Sequence, residues 1–81
     1  MLFLERGVML KFSLYEDVLL LIDIPEEGMF AGAVGTVVDR HDRPGYEMGY
    51  SVEFFDADGT TRGVITVPAH ALQRWEANGG A

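Results

Sequence analysis

Histidine and carboxylate side chains that lie close together could bind a metal ion, and the segment DRHDRP brings such residues together. His41 has Asp39 two positions before it and Asp42 directly after it. Two carboxylates and an imidazole suit a divalent cation. However, neighbouring residues of a strand point to opposite faces, and no fourth ligand is apparent. We therefore interpret this group as a solvated turn and expect no metal site.

Other groups that could perform catalysis are equally incomplete. Glu26 and Glu27 are adjacent in a loop, but a domain this small has no deep cleft that could separate their pKa values for acid–base chemistry. His70 has no acid or hydroxyl near it in the sequence, and the 81 residues include no cysteine. Gly32 and Gly35 lead into a valine-rich strand, which is not the strand–loop–helix order of a phosphate loop. We expect a protein that is not an enzyme and needs no cofactor.

Net charge restricts the class of partner. The chain has 13 acids and 6 bases, a net charge of −7. Because cations on the protein supply most of the non-specific affinity for nucleic acid, nucleic-acid binding is disfavoured. The acidity indicates either a basic protein partner or only the charge that keeps a small domain in solution.

Hydropathy gives no sign of a membrane protein. The longest apolar run, Val18–Ile22, is far shorter than the roughly 20 residues that span a bilayer. The first residues, MLFLERGVML, include an acid and a base and lack a small-residue cleavage pattern, so a secretory signal is not expected. We expect a cytoplasmic protein.

Short strands separated by turns account for most of the chain. Residues 50–55 alternate, with Tyr50, Val52 and Phe54 on one face. DADG follows as a hairpin loop in which Gly59 suits a left-handed position. Gly35 indicates a bulge or a close backbone approach. The predicted strands are residues 17–22, 33–39, 50–55, 60–67 and 72–75, and one helical turn is predicted at residues 68–71.

This order predicts an all-β fold, a small five- to six-stranded SH3-like barrel with one short helical turn before the last strand. Residues 23–32 form the long first loop. We assign residues 9–76 to the barrel, residues 1–8 to an extension that lies upstream of the true start if Met9 is that start, and residues 77–81 to a flexible tail. The extension is apolar enough to add a strand to the edge of the barrel or to pair with a second copy as a homodimer.

Several short motifs follow one another in a definite order along the chain. They are Tyr15, Asp17, Val18–Ile22, Asp23–Glu26, Gly28 and Gly32–Val37, with YSVEFFDADGTT and VPAHAL further along. In these motifs the chain resembles a family of short bacterial proteins known as a domain of unknown function, whose members share a tyrosine, an acid and an apolar run, then acid-apolar-Pro-Glu, a glycine and Gly-x-x-Gly-Thr-Val. The resemblance implies an SH3-like barrel but no activity. Here the second loop, RHDRPGYEMG, is longer than is usual in the family.

Two loops supply the candidate binding site. Met29 and Phe30 are large apolar residues in the first loop, where they either anchor the loop or contact a partner. SH3-like domains often bind through the surface between their long loops. The predicted protein-binding residues are Glu26, Glu27, Met29, Phe30, Tyr46, Met48 and Tyr50.

The leading functional hypothesis is a non-enzymatic, acidic protein-interaction module, in its most concrete version an antitoxin- or immunity-like partner of a basic protein. The Gly-x-x-Gly-x-Val pattern is also similar to that of ribosome-associated SH3-like modules, so an RNA-associated role is the alternative. An uncharacterised structural domain is a further alternative.

Overall fold

A computed structural model of the protein describes residues 11–76, and the predicted extension and tail lie outside these residues. This part of the chain contains two 3-10 turns, at Pro25–Glu27 and Ala69–Ala71. Neither is long and apolar enough to cross a membrane. The five strands are β1 (Asp17–Leu20), β2 (Val34–His41), β3 (Gly49–Phe55), β4 (Thr61–Pro68) and β5 (Leu72–Arg74).

All five strands belong to one antiparallel sheet with the order β4-β3-β2-β1-β5. Strands β2, β3 and β4 follow one another as a meander, whereas β5 returns to pair with β1. The edges of the sheet within residues 11–76 are therefore β4 and β5. The prediction of an all-β fold is confirmed.

The core lies on one face of this sheet. Tyr50, Val52 and Phe54 of β3 are fully buried, as their alternation predicts, and Val18 and Leu20 of β1 pack in the same cluster. Burying each large apolar side chain contributes roughly 1.5–3 kcal/mol. Strand β1 ends at Leu20, two residues earlier than predicted, and the following Leu21 and Ile22 are exposed. The remaining core residues are Phe12, Met29, Val37, Val67, Ala69, Ala71 and Leu72.

A bulge interrupts the pairing of β2 with β3. Val37 faces Val52 and Asp39 faces Ser51, so Val38 is an extra residue in β2. Gly35 is not the bulge. It is a close approach, because a Cβ atom there would lie 2.6 Å from the carbonyl oxygen of Glu53.

The second 3-10 turn connects the two edge strands. Pro68 was predicted to begin this turn, but it is the last residue of β4, with an extended ψ of 157°. The turn begins one residue later, at Ala69, whose backbone N–H donates to the carbonyl of Met48 at 2.9 Å. This bond fixes the start of the turn against the residue that directly precedes β3.

Candidate functional site

The long first loop, residues 21–33, is anchored by its own backbone. Ile24 and Met29 form an antiparallel bridge around the turn at Pro25–Glu27, and Gly28 adopts a left-handed φ of 70°. Met29 is 5% exposed and belongs to the core, whereas the adjacent Phe30 is 55% exposed. Met29, which anchors the loop in the core, is thus followed directly by Phe30, which is exposed to solvent.

Phe30 lines a shallow groove between this loop and the β3–β4 hairpin, residues 56–60. Phe55, 41% exposed, lies in the same groove, which has a volume of about 360 Å³. Gly28, Ala33, Asp56 and Arg62 are among the other residues of its wall.

Arg62 connects the two sides of the groove. Its Nη1 donates to Asp56 Oδ1 at 2.8 Å and its Nη2 donates to the carbonyl oxygen of Gly28 at 3.1 Å. Because Asp56 belongs to the hairpin and Gly28 to the first loop, one guanidinium group sets the width of the groove. Arginine suits this role because its donors have a fixed, planar geometry.

One carboxylate lies in the groove wall, and two more directly precede it in the first loop. Glu26 and Glu27 are exposed and directly precede Gly28, and Asp56 lies in the groove wall. In the hairpin, the backbone N–H and the hydroxyl of Thr60 hydrogen-bond to Asp58 and lower its pKa. We call the surface formed by Glu26, Glu27, Phe30, Phe55 and Asp56 the acidic–aromatic end.

The other three predicted binding residues lie at the opposite end of β2. Tyr46 is 68% exposed, with the Arg43 guanidinium 4.7 Å from its ring centroid. Met48 is partly buried against the core. Tyr50 is fully buried, and its hydroxyl accepts a hydrogen bond from the backbone N–H of Phe12 at 3.1 Å.

The seven predicted binding residues therefore divide into two groups. At about 3.3 Å per residue, β2 separates them by roughly 20 Å. Phe30 and Tyr46 are the exposed aromatic residues of the two groups, and Tyr50 contributes to the core. Sequence reasoning missed Phe55, although its place directly before the hairpin loop is a signal that could have found it.

Strand β2 carries His41 into a polar cluster on the outer face of the sheet. The Nε2 atom of His41 lies 2.7 Å from the hydroxyl of Ser51, which lies 2.8 Å from the hydroxyl of Thr66. Ser51 is only 8% exposed. The interpretation of His41 as a turn residue is wrong, because the bulge at Val38 lets β2 continue to His41.

The spacing of His41 and Ser51 is that of a general base and its nucleophile, but the arrangement is incomplete. Asp39 approaches the same Nε2 atom, at 4.0 Å, so it does not orient the ring from Nδ1 as in a catalytic triad. No group of three or more His, Cys, Asp or Glu side chains that could hold a metal ion occurs in residues 11–76.

His70 has an acidic partner that is distant in sequence. Its backbone N–H donates to Glu47 Oε2 at 2.7 Å, and its Nδ1 lies 2.8 Å from Glu47 Oε1. The side-chain and backbone hydrogen bonds of His70 hold the pKa of Glu47 below its ordinary value. This pair holds the second 3-10 turn against the second loop.

Comparison with known proteins places the chain in a family. No curated protein and no solved structure matches it significantly. The family model described as "Domain of unknown function (DUF4926)" matches residues 14–74, which include all five strands and both 3-10 turns. The chain belongs to the DUF4926 family of domains of unknown function.

Proposed function

We propose that the protein is a non-enzymatic module that binds a basic segment of a partner protein through its acidic–aromatic end. The observation that carries the proposal is the pair Phe30 and Phe55, two exposed aromatic side chains in one groove whose wall includes Asp56. Aromatic residues are enriched among those that supply most of the binding energy in interfaces.

Charge supports a basic partner. The net charge of the chain is −7, and Arg62, the cation of the groove wall, is already paired with Asp56. Glu26 and Glu27, which belong to the same loop as Phe30, are also exposed. Opposite charge on a partner accelerates association and suppresses binding of acidic competitors.

We also propose that the sheet is wrapped into an SH3-like barrel. The sheet has five strands, and seven large side chains, among them Tyr50, Phe54 and Leu72, are less than 2% exposed. Within residues 11–76 the elements other than strands are two 3-10 turns, which supports a sheet that curls around its own core. The strand order, with β5 returning beside β1 after one helical turn, supports the same architecture.

The arginines do not favour an RNA-associated role. Arg62 lies on the edge strand β4 and Arg74 on the opposite edge strand β5, and each pairs with a carboxylate. Arg40 lies near the end of β2, away from Arg62. They do not form the continuous basic stripe expected of a nucleic-acid surface.

A specific version of the proposal is that the protein neutralises a basic, toxic partner in the manner of an antitoxin or immunity protein. Co-expression with the product of the adjacent gene addresses this version. It requires that this product inhibit growth alone and that the protein relieve the inhibition.

The binding proposal is tested with a photo-crosslinking amino acid at Glu27 in cells that naturally produce the protein. The crosslinked partner is identified, purified and titrated against the wild type, Phe30→Ser and the matched control Tyr46→Ser. We expect a partner with net positive charge, affinity that falls with added salt, and a loss of roughly tenfold or more for Phe30→Ser. Tyr46→Ser should bind as the wild type does.

An acidic partner, equal affinity for the wild type and Phe30→Ser, or the absence of a specific crosslink would each overturn the proposal. Both substituted side chains are exposed, so neither variant is expected to unfold the protein. Thermal melting of the variants verifies this.

A further inference from the structure

Strand β4 has a free edge whose middle lacks the usual protection, although a bulge at Arg62 and a proline at Pro68 protect its two ends. It is eight residues long and pairs only with β3 within residues 11–76. Natural proteins protect edges with short strands, lysine, proline or bulges. The stretch Gly63–Val67 contains none of these, whereas the other edge strand, β5, is three residues long and contains Arg74.

The side chains along β4 define what could pair with it. Val64 is 57% exposed on the outer face, and Ile65 packs partly against the core on the inner face. Alternate side chains of an added strand would therefore lie on the apolar inner face and on the exposed outer face of the sheet. Apolar or β-branched residues suit the first of these faces.

Acids flank the exposed face. Glu53 of β3 lies directly opposite Val64, and Asp56 lies in the hairpin loop next to the start of β4. The cation of β4, Arg62, is turned back to Asp56 and to the Gly28 carbonyl. A lysine or arginine that an added strand places beside Val64 would lie two strand spacings, about 10 Å, from the backbone of Glu53, a distance that the two long side chains together can span across Val64.

The free edge is continuous with the acidic–aromatic end. Arg62 belongs to β4 and also lines the groove that contains Phe30 and Phe55. A segment paired with β4 would therefore pass directly to that groove. The start of the described chain lies elsewhere, since the carbonyl oxygen of Lys11 accepts a hydrogen bond from Arg74 of β5.

We propose that β4 binds an extended basic segment of the partner as an additional antiparallel or parallel strand, with its basic side chains over the outer face. This inference rests on the function proposed above and adds the mode of recognition. Backbone hydrogen bonds would supply affinity, and alternating side chains would supply specificity, as in other cases of strand addition.

The test uses the full chain and a synthetic peptide of alternating lysine and valine, about eight residues long to match a typical strand. Amide hydrogen exchange is measured by nuclear magnetic resonance with and without the peptide. We expect slower exchange within Gly63–Val67 and unchanged exchange at Gln73 of β5. A peptide with glutamate for lysine should give no protection.

Two N-methylated versions of the peptide distinguish strand pairing from charge attraction alone. One is methylated on the backbone nitrogens of its odd-numbered residues, and the other on those of its even-numbered residues. In one version methylation should abolish binding because the methyl groups face β4, and the other version should bind. The variant Val64→Lys, altered at an exposed position, should bind the unmodified peptide roughly tenfold more weakly through like-charge repulsion.

Binding of both N-methylated peptides, or protection outside β4, would refute strand addition. If exchange within Gly63–Val67 instead slows with protein concentration in the absence of peptide, the occupant is a second copy, and the proposal is also wrong. These failures differ from failure of the proposed function, which appears as an unchanged partner affinity of Phe30→Ser.

Discussion

Glu47 binds His70 at two points, with one carboxylate oxygen 2.7 Å from the backbone N–H and the other 2.8 Å from Nδ1. The two residues are 23 positions apart in the sequence. The pair therefore joins the second loop to the 3-10 turn before β5, which is a long-range contact made entirely by polar atoms.

This contact predicts acid sensitivity. The hydrogen bonds from the side chain and backbone of His70 lower the pKa of Glu47 from 4.5. A carboxyl group with a lower pKa in the folded state stabilises the fold above its unfolded pKa, and this contribution is lost as the pH falls through the folded value. Melting temperatures measured from neutral to acidic pH should fall less for Glu47→Gln than for the wild type.

The matched control for Glu47→Gln is Glu26→Gln, which alters an exposed glutamate at the other end of the sheet. Its melting temperature should follow the wild-type pH dependence. Equal pH dependence of Glu47→Gln and the wild type would show that the contact with His70 does not stabilise the fold.

Gly35 and Gly63 should respond in opposite ways to the same substitution. A Cβ atom at Gly35 would lie 2.6 Å from the Glu53 carbonyl oxygen and 2.7 Å from a Val52 methyl, whereas at Gly63 nothing lies within 4 Å. Gly35→Ala should lower the free energy of unfolding by about 1–3 kcal/mol through overpacking. Gly63→Ala should leave it unchanged or raise it by about 0.5 kcal/mol. Urea denaturation measures the free energy of unfolding of both variants. A similar value for the two would contradict the close approach of the Gly35 backbone to β3.

Substitution of Gly59 tests the backbone conformation of the β3–β4 hairpin. Its φ of 86° is left-handed, as the sequence predicts, and its backbone N–H donates to the Asp56 carbonyl at 2.9 Å. Gly59→Val should destabilise the protein by roughly 1–2 kcal/mol, because a branched side chain disfavours this conformation. Gly59→Asn should cost less, since asparagine tolerates left-handed φ. The melting temperature should be highest for the wild type, lower for Gly59→Asn and lowest for Gly59→Val. Any other order would contradict the claim that a side chain at this position strains the backbone.

Substitution of Tyr50 tests whether this predicted binding residue stabilises the core. Tyr50→Phe removes the acceptor of the Phe12 N–H in a buried position, which should cost about 1–3 kcal/mol in the free energy of unfolding. Tyr46→Phe, at an exposed position, should cost nothing measurable. Chemical denaturation of both variants provides the comparison. Equal stability of the two variants would show that the buried hydrogen bond contributes little.

The sequence predicted the elements that depend on local pattern. The alternation of Tyr50, Val52 and Phe54 identifies β3, and DADG identifies the turn at Gly59, because strand faces and left-handed turns are properties of neighbouring residues. The pairs Glu47–His70 and His41–Ser51 could not be found in this way. They join residues from different elements, so they depend on register and loop path.

The candidate site illustrates the same limit. The sequence identified Phe30 as an apolar residue in a loop, but it grouped this residue with Tyr46 from a loop at the far end of β2. Phe55, the last residue of β3, shares the groove with Phe30 instead. Adjacency along the chain predicts which residues are exposed, whereas the order of the strands decides which exposed residues meet.

The extra residue in β2 has an evolutionary consequence. On either side of Val38 the pairing is regular, with Val37 opposite Val52 and Asp39 opposite Ser51. The stretches before and after Val38 already have the correct alternation of faces. Deleting Val38 alone would join them, so all the remaining side chains of β2 would keep their faces. A relative could therefore lack one residue at this position and retain the same core, whereas a single-residue gap elsewhere in β2 would turn part of the strand inside out.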